Sequence, residues 1–205
     1  MNGVVPGPAW SDRPPGNPFA TRFTRPGTIP PLDAAGRPLD LRRLAATARR
    51  LGRSALEGPH GRGKSTVLLA LVQELSAAGA AVEVVRVRVP RDAATALCVL
   101  ATAPRGTTIC IDGWERLGRS GALLAGLLAR WRALGLVVTA HGRTGLPVLA
   151  RCESTPELLA AIVDRLPSHH GLIDRQDMAD AHRRHDGDLR EALYDLYDRF
   201  ERRSR

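Results

Sequence analysis

The sequence predicts an α/β fold: a parallel β-sheet flanked by helices, built around a glycine-rich loop, with a small helical lid at the C-terminal end. Three observations predict it. Short apolar runs alternate with longer helical patterns between residues 53 and 152, as expected for parallel strands joined by right-handed crossovers. A glycine-rich segment, Gly58-Pro59-His60-Gly61-Arg62-Gly63-Lys64-Ser65-Thr66, follows the first of those runs. After residue 153 the strand signals stop and only helical patterns follow.

Three segments result. Residues 1–38 hold nine of the fifteen prolines and keep neither a helical nor a strand period, so they read as an extended arm. Trp10, Phe19 and Phe23 are its docking side chains. Residues 39–153 form the α/β core that holds the glycine-rich segment. Leu41, Leu44, Ala45, Ala48 and Leu51 share one face of a helix over 39–51. Ser54–Glu57 is a short strand, weak alone and supported by the loop behind it. Ser65–Ala78 is a helix stopped by Gly79. Ala81–Val89, with valines alternating against Arg86 and Arg88, is a strand with one solvated face. Asp92–Ala103 and Leu117–Leu134 are helices, Thr107–Asp112 and Leu136–Ala140 buried strands, and Pro147–Cys152 a last short strand. Residues 154–205 are the lid. Thr155-Pro156-Glu157 starts one helix, Asp174–His185 is a second, and Asp188 with Glu191 at capping-box spacing opens the third.

The glycine-rich segment satisfies G-x-x-x-x-G-K-[ST] at every fixed position. Its glycines let successive backbone N–H groups converge on one anion, and the helix behind it presents its free N–H groups and positive dipole end to the same phosphates. Lys64 reaches the outer phosphates and the Ser65 hydroxyl takes Mg²⁺. Lys64 is also the only lysine in the chain. A guanine-reading N-K-x-D element is therefore absent. The buried strand Thr108–Asp112 delivers a carboxylate beside the metal. Glu115 is the acid placed to polarise a water, unless it is an ordinary first-turn glutamate beside Arg116. Thr139 and His141, at the next strand end, face the same site or are ordinary loop polarity. Trp114 either stacks on a ligand or packs.

Net charge is +9, carried almost wholly by arginine. Such a charge admits a nucleic-acid partner, though scattered arginines can equally reflect composition. Cys98, Cys110 and Cys152 sit in apolar stretches without metal-ligand spacing and read as small buried hydrophobes in a reducing compartment. No secretory signal pattern and no membrane-spanning apolar run are visible, so a cytoplasmic protein is expected.

The motifs resemble those of the additional-strand P-loop ATPases, the group that holds the AAA+ proteins and the NACHT-like signal-transduction ATPases. The resemblance covers roughly Leu51 to Phe200. GPHGRGKST is similar to their Walker A loop, ICIDGWE to a Walker B of D-G-x-[DE] form, and VVTAH to the sensor 1 strand. GDLREAL resembles the sensor 2 opening of a lid helix. The resemblance implies a P-loop NTPase-type sheet, ATP and Mg²⁺ as cofactors, and Arg190 as the arginine reaching the γ-phosphate. It also implies a protein partner and allows a homo-oligomer. One departure stands out: Gly113, not Glu, follows Asp112. The sequence thus supports a Mg²⁺-dependent ATPase with Lys64, Asp112, Glu115 and His141 in catalysis. A slow ATP-dependent switch, a DNA- or RNA-stimulated loader and a small-molecule kinase are its rivals.

Overall fold

The computed structural model describes residues 16–169 and 171–205. Trp10, one of the three aromatic docking candidates of the arm, lies outside them. Five parallel strands form one sheet: β1 (Arg53–Glu57), β2 (Val82–Arg86), β3 (Thr108–Asp112), β4 (Gly135–Ala140) and β5 (Val148–Arg151), in the order β2-β3-β4-β1-β5. The helices are α1 (Thr21–Thr24), α2 (Leu41–Leu51), α3 (Lys64–Ala77), α4 (Asp92–Thr102), α5 (Gly118–Trp131), α6 (Pro156–Val163), α7 (Arg175–Arg184) and α8 (Leu189–Arg203).

Alternation along the strands divides the core in two. Ala55, Ile109, Ile111, Leu136 and Val138 face α4 and α5, whereas Leu56, Cys110 and Val137 face α2 and α3. A third core joins α6, α7 and α8 through Leu159, Ile173, Met178, Leu196 and Phe200. Phe19 from the arm completes that core, 1% exposed, with its ring 6.2 Å from that of Phe200. Phe23 is only half-buried.

Several sequence expectations shift. The strand expected over 81–89 stops at Arg86, because its partner β3 ends at Asp112, the residue opposite Arg86. The described part of the arm contains one helical turn, α1, too short to leave a period. Cys98 is exposed: α4 turns Ala96 and Leu100 inward and leaves Cys98 on its outer side. Cys110 and Cys152 are buried as expected, and burial pushes their thiols up to about 12 and about 11. Asp188 caps α8 through the N–H groups of Arg190 and Glu191, while the two-way capping box forms instead at Asp174 and Asp177 of α7. No helix among the described residues is long and apolar enough to cross a membrane.

Candidate nucleotide site

The carboxyl ends of β1, β3 and β4 open onto one cleft of about 810 Å³. Glu57 ends β1, and the chain then turns under β5. At Gly58 a β-carbon would sit 2.3 Å from the Cys152 carbonyl oxygen, so only glycine fits. Gly63, with φ of +79°, is the N-cap of α3 and has no side chain to satisfy its first-turn N–H groups.

Lys64 is buried, 7% exposed, and its ammonium donates to the Gly58 and Pro59 carbonyls at 2.6 and 2.5 Å. Burial lowers its pKa, while nearby Glu115, Asp112 and Asp188 act to raise it. A desolvated cation that bonds only neutral carbonyls, beside an uncapped helix start, fits a polyanionic ligand.

The parallel register of β3 and β4 sets Asp112 directly beside Thr139. The Thr139 hydroxyl donates to Asp112 Oδ1 at 2.7 Å and accepts from the Gly113 N–H at 3.0 Å. From the other side, Ser65 Oγ donates to the same carboxylate at 3.0 and 3.1 Å. This all-oxygen set of Ser65 and Asp112 suits a hard divalent cation such as Mg²⁺. Thr139 was legible only as a polar strand end; its role is to hold Asp112.

Gly113 has a structural cause. Its φ is +100°, and a β-carbon there would stand 2.4 Å from the Val87 carbonyl oxygen. A glutamate cannot follow Asp112 at this bend. Glu115 follows on the 3₁₀ turn Trp114–Leu117, and its Oε1 lies 3.5 Å from His141 Nε2. His141 titrates below the ordinary imidazole value: burial depresses it most, Glu115 opposes, and Lys64 and His60 add to the depression. Trp114 is 7% exposed and belongs to the α4–α5 core, so it packs.

Hydrogen bonds and a close ion pair tie the loop to the lid. His60 Nδ1 lies 3.1 Å from Asp188 Oδ2, and the Leu189 N–H donates to the Gly61 carbonyl at 3.1 Å. The Arg62 guanidinium donates to the Ser154 hydroxyl and to the Asp186 carbonyl. Arg62 therefore offers a phosphate its backbone, not its side chain. Pro59 contributes its carbonyl to Lys64. Thr66 and Arg190 line the cleft, with Arg190 on the exposed side of α8. The rest of the cleft escaped sequence reasoning: Ile29 and Leu32 from the arm and Leu158, Ile162 and Leu193 from the lid form an apolar wall. No residue period marks the arm part of it, so no sequence signal was available.

No family model matches this sequence, and no curated protein matches it either. The fold is similar to that of a solved structure. That structure is of C. elegans PCH-2, with 11% identity and a TM-score of 0.41, covering 80% of this chain and 68% of that one. At that score the likeness adds nothing to what the residues themselves show.

Proposed function

We propose that this chain is a Mg²⁺-dependent ATPase of the additional-strand P-loop group, similar to AAA+ and NACHT-like proteins, that couples nucleotide state to lid position. The observation that carries the reading is Asp112, held between the Ser65 and Thr139 hydroxyls beside buried Lys64. The sheet supports it: β4 stands between the strand of the loop and the strand of Asp112, an additional strand in the sense of the group's name.

In this reading the loop amides and Lys64 bind and orient the triphosphate, and the apolar wall of arm and lid takes the base. Ser65 and Asp112 hold Mg²⁺, which when bound neutralises phosphate charge. Glu115 accepts a proton from the attacking water, with His141 fixing its carboxylate. Arg190 faces the phosphates from the lid. ATP rather than GTP is what the family resemblance implies; the one lysine, Lys64, lies in the loop, so a guanine-reading N-K-x-D element is absent.

A slow switch is the second reading. It is favoured by the loop-to-lid contacts at His60, Gly61 and Arg62, which suit a device that reports occupancy. Binding of a fluorescent ATP analogue and phosphate release with Mg²⁺ATP separate the two. Lys64→Ala loses both signals. Glu115→Gln keeps binding and loses turnover by about 100-fold or more. Tight binding without turnover in the wild type supports the switch, and no binding in the wild type overturns both readings.

A further inference from the structure

α2 carries a feature that the nucleotide site does not use. Ala45 and Ala48 turn inward, and Arg42, Arg43, Arg49 and Arg50 are all exposed on the outer side around exposed Ala46. The two arginine pairs are seven residues apart, about 10 Å along the helix axis and nearly eclipsed around it. Of these four arginines, only Arg42 has a carboxylate partner among the described residues, Glu74 at 3.8 Å, and the Arg42 side chain is 92% exposed. The first turn of α2 contains no acidic residue, and Asp40 already accepts the Arg43 N–H as N-cap.

Helix stability explains half of this pattern. Arg49 and Arg50 complement the negative C-terminal end of the helix dipole. Arg42 and Arg43 stand at the positive end, where a cation costs stability. Four guanidiniums in this geometry fit a polyanion with closely spaced charges: two pairs set about 10 Å apart along one face can each meet a different phosphate of a strand. Ala46 at the centre of the face offers nothing to insert into a bilayer. The net charge of +9 adds a long-range field of the same sign.

We infer that the outer face of α2 is a nucleic-acid contact that binds the sugar-phosphate backbone without reading sequence. It does not depend on nucleotide binding in the cleft, which lies at the carboxyl end of the sheet.

The test measures fluorescence anisotropy of labelled 20-nucleotide DNA and RNA, single-stranded and duplex, from 50 to 200 mM salt. Full-length wild type binds with a linear decline of log affinity against log salt. Arg49→Ala/Arg50→Ala and, separately, Arg42→Gln/Arg43→Gln each reduce the slope on duplex by about 2 and weaken all sequences alike. The matched control Arg119→Ala/Arg130→Ala removes the same charge from exposed positions of α5 and leaves the slope unchanged. All substituted side chains are exposed, and unchanged melting temperatures confirm intact folding. An equal fall in the control overturns the inference, as does an unchanged slope in both α2 variants. Loss of binding to phosphatidylserine vesicles with nucleic-acid binding intact also overturns it. Binding restricted to DNA or to RNA supports it and names the source of the backbone.

Discussion

At the scale of single residues, Thr139 holds the site together with one hydroxyl, donating to Asp112 and accepting from the Gly113 N–H. Thr139→Val keeps the shape and removes both bonds. Loss of such a support costs about 10- to 100-fold in activity or metal affinity. Phosphate release titrated with Mg²⁺ is expected to shift by that amount, and Thr139→Ser is expected to restore it. Lys64, Ser65 and Asp112 were legible in the sequence because the chemistry fixes their spacing or their place at a strand end. The partners of the loop were not. His60 and Asp188 are 128 positions apart, and nothing in a capping aspartate shows that its second oxygen reaches a histidine. Gly113 was legible only as a departure; its cause, the Val87 carbonyl, depends on a neighbouring strand.

Among the elements, β3 and β4 followed the sequence pattern because an apolar run buried on both sides is what a central parallel strand requires, and α2 and α3 because their apolar residues repeat against a sheet face. The arm did not, because its order comes from a few tertiary contacts. Phe19 fills the lid core, and Asn17 donates to the Tyr197 carbonyl at 3.0 Å and to Glu201 at 2.9 Å. Phe19→Ala is expected to destabilise the fold by about 3–5 kcal/mol, read as a fall in the denaturant midpoint. An arm without structural weight would leave that midpoint unchanged. α5 shows the converse limit. It buries Ala125 and Ala129 and exposes Leu123, Leu127 and Trp131, the last at 69%. A run rich in Leu and Ala is readable as a helix, but a helix apolar on both faces does not declare which one meets the sheet.

At the scale of the whole molecule, acid stability separates two sets of groups. Burial holds His141 and His182 below the usual imidazole value of 6.5, with positive neighbours adding to the depression. Between those lowered values and 6.5 the unfolded chain binds more protons, so stability falls as pH drops through that window. The Arg203 and Arg199 guanidiniums hold Asp177 well below the usual carboxylate range, a contribution lost only as pH falls below about 3.8. Melting temperature against pH is expected to show a first decline below about 6.5 and a second below about 4. A His141→Gln/His182→Gln protein should lose the first and keep the second. The strand order has a further consequence, for synthesis. β1 pairs only with β4 and β5, and β3 meets β1's side of the sheet only through β4. A chain growing from its N-terminus can join β2 to β3, but the strand that carries the phosphate loop has no neighbour until residues 135–140 have left the ribosome. The phosphate loop is among the first parts of the core to be made and among the last to be held in place.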